Sequence, residues 1–258
     1  MKLKGKSVCI TGASAGIGSA TAQYFAQEGC RIALGARRIE RLQALRSQLL
    51  DLGAESVAVL PLDVQQDSSV TEFYDAVNSD LGSPDILVNN AGLVLGTDHI
   101  ADGKISDWQT ILDTNVMGVL RVCRAFIPKM KQAQRGHLIF VGSISGHQVY
   151  EGGGPYCASK HSVKAIYQTL KLELSGTKIR VSSVDPGMVE TEFSLVRLGD
   201  EDAAKKVYEG FQPLTAEDIA ECIGFIASRP AHVNIDDMII MPREQATVYK
   251  VDRSGLEA

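Results

Sequence analysis

The sequence predicts a doubly wound α/β fold, in which a parallel sheet is covered by helices on both faces. Three observations predict it. Short, near-continuous apolar runs alternate with longer helical stretches from the first residues onward, and strands buried on both faces read in that unbroken way. The runs are separated by segments long enough for crossover helices, so the connections are right-handed β-α-β units. The first run also breaks into a glycine-rich loop ahead of a helix, a place where such sheets bind ligands.

Residues 7–11 (Ser-Val-Cys-Ile-Thr) form the first buried strand, and residues 20–28 the helix after it. Residues 31–35 are the second strand, followed by a charged amphipathic helix over 39–52. Residues 57–60 are the third, and Asp67-Ser68 is an N-cap for a helix running to Asn78. Residues 86–88, 137–141 and 179–184 are further apolar strands. Small and apolar positions from Val163 to Leu172 continue a helix that starts near Tyr156. Residues 195–211 interrupt the pattern with a polar, helical insertion before the last helix, and the chain after Met241 is polar. No linker, repeat or low-complexity segment divides the 258 residues, so 1–258 is expected to be one domain.

The composition is 45% hydrophobic and 22% charged, a globular balance without a disordered signature. A net charge of −5 gives no reason to expect nucleic acid or an anionic membrane as partner. Any anionic ligand must be met by locally placed cations. No apolar run approaches the roughly 18 residues of a membrane span. The stretch after the charged N-terminus breaks at Gly12, too short for a signal peptide. Cys9, Cys30, Cys123, Cys157 and Cys222 are odd in number and widely spaced, with no C-x-x-C pair. Free thiols in the cytoplasm are therefore expected, and no metal site.

Thr11-Gly12-Ala13-Ser14-Ala15-Gly16-Ile17-Gly18 leads straight out of the first strand. Glycines there allow a tight turn, close approach of backbone to a pyrophosphate and close packing of the next helix. The N–H groups of that helix's first turn attract phosphate. As a bare pattern, G-x3-G-x-G also serves a simple tight turn; its place between a first strand and a first helix favours dinucleotide binding. At the end of the second strand Ala36 stands where a chain binding NAD usually carries an acidic residue, and Arg37 and Arg38 follow. Guanidinium groups pair bidentately with a 2′-phosphate, which favours NADP(H). The other reading is a solvated basic helix start, since Arg41 and Arg46 continue the charge.

Tyr156 and Lys160 are four residues apart in a helical stretch, which puts them on one face. A phenol titrates near ~10, too high for base catalysis at neutral pH, and a neighbouring ammonium favours its phenolate. Alone, such a pair is a common surface contact. Ser143, however, lies at the C-terminal end of the strand over 137–141, where open sheets bind ligands. Its hydroxyl can stabilise charge developing on a substrate oxygen. Ser145 competes for that place, with a turn cap as its other role. Asn89-Asn90-Ala91-Gly92 follows another buried strand, and Asn115 sits in a helical stretch where a buried amide can also be structural.

Thr11-Gly12-x3-Gly16-x-Gly18, Leu62-Asp63-Val64, Asn89-Asn90-Ala91-Gly92, Asn115, Ser143, Tyr156-x3-Lys160 and Pro186-Gly187 occur in this order over most of the chain. Jointly they make it resemble the short-chain dehydrogenase/reductase family. The resemblance implies a Rossmann-type sheet of about seven strands, a homotetramer or homodimer, and an NADP-dependent oxidoreductase interconverting an alcohol and a carbonyl. It implies that Ser143 orients the substrate oxygen, Tyr156 exchanges its proton, and Lys160 lowers the Tyr156 pKa and binds the nicotinamide ribose. Asn115 would hold a water in the proton relay. For the cofactor, it implies Asp63 and Val64 at the adenine, Asn89, Ala91 and Gly92 on the adenosine side, and Pro186, Gly187 and Val189 bounding the nicotinamide. Thr191 would lie near the carboxamide or a phosphate.

Within the family, the segment from Pro186 to Arg197, with residues 230–235, Met241-Pro242 and Gln245, is most similar to the NADP-dependent 3-hydroxy acid dehydrogenases, which include serine and allo-threonine dehydrogenases. Sulfoacetaldehyde reductases resemble the same subgroup. A small anionic substrate needs a cation, and Arg197 is the candidate, in a loop over about 188–212 that closes over substrate in this family; a helix-surface arginine is its other reading. His147, Gln148 and Tyr150 would line the opposite wall. A general carbonyl reductase is an alternative. In a different class stands a sensor that binds NADP(H) without turnover, a kind of protein that typically lacks Tyr156, Lys160 or Ser143. The tail over 243–258 either crosses to a neighbouring subunit or frays.

Overall fold

The computed structural model describes residues 2–255. Its strands are β1 (Ser7–Thr11), β2 (Arg31–Ala36), β3 (Ser56–Pro61), β4 (Ile86–Asn89), β5 (Gly136–Val141), β6 (Ile179–Pro186) and β7 (Asp237–Ile240). They form one sheet in the order β3-β2-β1-β4-β5-β6-β7, every adjacent pair parallel. The chain reaches one edge at β3 and returns to the middle at β4, so strand order reverses between β1 and β4. Six strands lie on the apolar runs. β7 does not: it is a short edge strand begun by an aspartate, and none of its residues is fully buried.

The helices, in chain order, are α1 (Gly16–Gln27), α2 (Ile39–Asp51), α3 (Asp67–Leu81), α4 (Ile105–Leu112), α5 (Gly118–Ala133), α6 (Gly154–Glu173), α7 (Glu192–Leu198), α8 (Glu201–Lys206) and α9 (Ala216–Ala227). On one face of the sheet, Phe25 of α1, Leu42 and Leu49 of α2 and Ile219 and Ile223 of α9 pack on Val8, Ile10, Ile32 and Leu34. On the other, Phe73 of α3, Phe126 of α5 and Val163 and Tyr167 of α6 pack on Cys9, Leu87, Leu138 and Phe140. Neighbours such as Val8 and Cys9 thus serve opposite cores, the strand alternation that makes a doubly covered strand apolar throughout. Each fully buried large side chain contributes about 1.5–3 kcal/mol, which holds the strand ends rigid enough to carry a site.

Two expectations are corrected. α1 begins at Gly16, not residue 20, because the second half of the glycine loop already forms its first turn. α3 begins at Asp67 after an extended Gln66, without a side-chain cap; Asp67 is turned instead to Arg121, whose Nε donates to it at 2.6 Å. Between α4 and α5 the helix runs on through a π turn, Asp113–Met117, a wider turn often found at functional positions. Among the described residues no helix is long and apolar enough to cross a membrane.

As far as Gly255 the tail packs against its own chain. Gln245 is buried and its Oε1 accepts Met188 N–H at 2.8 Å, while Arg253 donates to the carbonyls of Glu209 and Val207. Both contacts tie the tail to the 188–212 segment. The last three residues of the expected tail lie outside the described residues.

Candidate active site

A cleft of about 370 Å³ runs along the C-terminal ends of β1, β4, β5 and β6, where the strand order reverses. One wall is the loop between β1 and α1. Gly12 (φ 68°) and Gly16 (φ 53°) adopt left-handed conformations there, strained for any other residue. A Cβ on Gly12 would lie 2.8 Å from the Ala91 Cα, and one on Gly16 3.3 Å from Thr191 across the cleft. Ser14 and Ile17 also line it. Gly18 does not: a Cβ there would meet Asn90 Nδ2 and the Gly12 carbonyl at 2.5 Å, so this glycine lets α1 pack onto the loop.

The loop is stitched to the end of β4. The Thr11 hydroxyl accepts the N–H groups of Asn90 and Ala91, and Asn90 Nδ2 donates to the carbonyls of Thr11 and Gly12 at 2.9 and 3.1 Å. Asn90, Ala91 and Gly92 line the cleft. Asn89, expected on the adenosine side, is corrected: strand alternation points it into the core beside Cys123, with its carbonyl oxygen unpaired.

At the far end, Ala36, Arg37, Arg38, Asp63 and Val64 form the wall. Arg38 Nε donates to Ser14 Oγ at 3.2 Å, and Gln65 N–H to Asp63 Oδ1 at 3.1 Å. Across from them, Thr191 caps α7 by accepting Phe193 N–H, and Glu192 pairs with Arg38 and Arg41. Pro186, Gly187 and Val189 complete this side.

Ser143, Tyr156 and Lys160 meet in the middle of the cleft. Ser143 follows β5, and its hydroxyl accepts Ser145 N–H at 3.0 Å and shares the cleft with the Tyr156 phenol; Ser145 itself is buried in the turn. Lys160 lies one turn along α6 from Tyr156, its Nζ 5.9 Å from the phenol ring centre and donating to the Val141 carbonyl at 2.9 Å. Burial pushes the Tyr156 phenol above its ordinary range, opposed by the nearby Ser143 hydroxyl and the field of Arg197. Burial also pulls the Lys160 ammonium down to about 8, opposed by Asp185.

Asn115 sits in the π turn between α4 and α5. Its amide is committed to Leu93, accepting the N–H at 2.8 Å and donating to the carbonyl at 2.8 Å, and it donates further to Ser159 Oγ at 3.0 Å. The side chain clamps the loop after β4 onto α6.

Beyond the phenol, Arg197 stacks on Tyr150 with the guanidinium 5.3 Å from the ring centre, and its Nε donates to the Gly96 carbonyl. The Phe193 ring lies 5.6 Å from that of Tyr156. His147 and Gln148 turn away from this wall. His147 Nε2 bonds the buried Asp185 carboxylate and its Nδ1 meets Lys164 Nζ at 2.7 Å, while Gln148 accepts Val248 N–H from the tail. The short turn over Ile144–Gly146 swings both residues under the sheet end. Glu192, Phe193, Asn90 and Arg41 are not singled out for the site by the sequence, although Asn90, Glu192 and Phe193 fall inside quoted segments and Arg41 continues the basic run after β2.

The donor set fits a phosphate-bearing dinucleotide. N-cap Ala15 offers no side chain to the first-turn N–H groups of α1, which leaves them for an anion, and Arg37 and Arg38 stand at the far end. Comparison with known proteins agrees. Residues 6–200 match the family model described as short chain dehydrogenase. The NADP-dependent 3-hydroxy acid dehydrogenase of Salmonella typhi is 40% identical over 241 residues, covering 93% of this chain and 96% of its own. That of Schizosaccharomyces pombe is 39% identical over 254 residues, 98% of each chain. A solved closed form of serine dehydrogenase complexed with NADP+ superposes with a TM-score of 0.89 at 37% identity, covering 98% of each chain. The matches run through every element that builds the cleft, and the chain belongs to the short chain dehydrogenase family.

Proposed function

We propose that the protein is an NADP-dependent oxidoreductase that interconverts an alcohol and a carbonyl on a small anionic substrate of the 3-hydroxy acid type. The observation that carries this reading is the buried Tyr156 phenol, beside Ser143 and one helical turn from Lys160, in a cleft that ends at Arg37 and Arg38. The relatives named for NADP and 3-hydroxy acids support the cofactor and the substrate class.

When bound, the nicotinamide supplies the two-electron chemistry. Ser143 and Tyr156 orient the substrate oxygen with two hydroxyls. Tyr156 gives that oxygen a proton in reduction and takes one in oxidation. The Lys160 ammonium favours the phenolate that results. Gly12, Ser14, Gly16 and Ile17 cradle the pyrophosphate with α1, Arg37 and Arg38 take the 2′-phosphate, and Asp63 and Val64 border the adenine. Arg197, held against Tyr150, gives the substrate end a positive field that suits a carboxylate. We read the chain as one cytoplasmic domain that assembles into a homodimer or homotetramer.

A spectrophotometric panel with both nicotinamide cofactors tests this, using L-serine, allo-threonine, 3-hydroxypropionate, sulfoacetaldehyde and neutral ketones. Turnover of 3-hydroxy acids with NADP⁺ is expected, and Arg197→Met should lower kcat/KM for anionic substrates by roughly 10-fold or more while sparing neutral ones. Preference for sulfoacetaldehyde or for neutral ketones would replace the substrate assignment, and cofactor binding without turnover would replace the enzyme by a sensor.

A further inference from the structure

Glu192 begins α7, on the segment that closes one side of the cleft, yet its carboxylate reaches to the opposite wall. Arg38 Nη1 donates to it at 3.0 Å and Arg41 Nη1 at 2.7 and 2.9 Å. Glu192 and Arg38 both line the cleft, and Arg38 is aimed further by its bond to Ser14 Oγ. The two guanidinium groups hold the Glu192 carboxyl below its usual range. All three side chains are nearly half exposed, so the bridge is exchangeable in water.

A phosphate monoester is a stronger claimant for the same donors. It carries about −1.5 to −2 charge and three acceptor oxygens, and pairs with arginine in the same bidentate geometry as a carboxylate. The Arg38 Nη1 donor held by Glu192 faces the cleft end where the 2′-phosphate is read by Arg37 and Arg38. A carboxylate beside that dianion is also repelled.

We propose that Glu192 is a specificity-determining residue that competes with the 2′-phosphate for Arg38 and Arg41. The inference rests on the NADP reading. The carboxylate holds the arginines, and with them α7, until a 2′-phosphate displaces it; an adenosine without that phosphate leaves the latch closed. Recognition of the phosphate is thereby linked to release of the substrate-loop helix. Arg41 becomes part of the phosphate seat.

The test is calorimetric titration of the intact protein with adenosine 2′,5′-bisphosphate and adenosine 5′-monophosphate, which differ only in the 2′-phosphate. Glu192→Gln is expected to tighten the bisphosphate by about 3- to 10-fold and to leave the monophosphate within about 2-fold. Arg41→Gln is expected to weaken the bisphosphate selectively. Limited proteolysis within 188–212 should be faster with the bisphosphate than with the monophosphate in the wild type, and equal with both in Glu192→Gln. Unchanged or weakened bisphosphate binding in Glu192→Gln overturns the competition, as do equal shifts for both ligands. A wild type that binds the two ligands alike overturns the NADP reading itself.

Discussion

Tyr156 is held between opposing influences. Burial favours its neutral phenol, while the nearby Ser143 hydroxyl and the field of Arg197 favour the anion. The residue is therefore a stored proton that ordering of charge in the cleft can mobilise. Tyr156→Phe removes the proton and keeps the ring against Phe193. It should lower kcat by roughly 10²- to 10⁴-fold while the cofactor dissociation constant, followed by NADPH fluorescence, stays within about 3-fold. A binding loss as large as the rate loss would make Tyr156 a cofactor contact instead. Around this pair, residue-scale reasoning from the sequence succeeds where a motif prescribes both residue and strand position, as for Ser143 at the end of β5. It stops short where hydrogen bonding decides. Asn115 belongs to the family pattern, but only three dimensions show its amide spent on Leu93 and Ser159. His147 likewise reads as a pocket residue, whereas the structure uses it to join buried Asp185 to Lys164. Lys164, Asp185 and Asp237 thus meet around one imidazole.

At the scale of elements, six strands and the helices α1, α2, α3 and α6 were legible, the strands because burial on both faces leaves an apolar run that few other structures produce. β7 was not, since its solvent-facing edge permits Asp237 at its start and an exposed Ile239; the seventh strand entered only through the family resemblance. The glycine loop was legible in type but not in detail. Sequence alone does not separate Gly12, which lets backbone approach backbone, from Gly18, which seats α1. A pair of substitutions separates conformation from crowding. Gly82 has φ 70° with nothing within 4 Å of an added Cβ, while Gly12 has φ 68° with the Ala91 Cα at 2.8 Å. Gly82→Ala should cost about 1–3 kcal/mol, because φ 70° with ψ −154° is a conformation left almost to glycine, and should leave cofactor binding unchanged. Gly12→Ala adds a clash between backbones that cannot yield, and should cost about 2–4 kcal/mol and weaken the cofactor by more than about 10-fold. Equal destabilisation in denaturant titrations of the two variants would show that the loop has room to adjust.

For the molecule as a whole, the sheet must keep its strand ends in place across a range of pH, and one buried group opposes this. His137 is the second residue of the ladder between β5 and β6, opposite Arg180. It is almost fully enclosed, with Nε2 2.8 Å from Ser182 Oγ and Nδ1 unpaired. Burial, with a smaller contribution from Arg180, pulls its pKa down to about 3, whereas an unfolded chain titrates near ~6.5. Arg180 cannot move aside, because its guanidinium caps the end of α9 through the carbonyls of Ile226, Ala227, Arg229 and Val233. Between the two pKa values the unfolded chain holds a proton that the native one refuses, so stability falls as pH drops below the unfolded value and goes on falling toward about 3. This single group contributes a slope of about 1.4 kcal/mol per pH unit over that window, and nothing above it. His137→Gln keeps a hydrogen-bonding group near Ser182 but cannot take up the proton. Its urea-unfolding free energy should therefore decline less steeply than that of the wild type between pH 6 and 4.5, by about that slope, at matched protein concentration. Parallel acid limbs for the two proteins would place the acid sensitivity in another group.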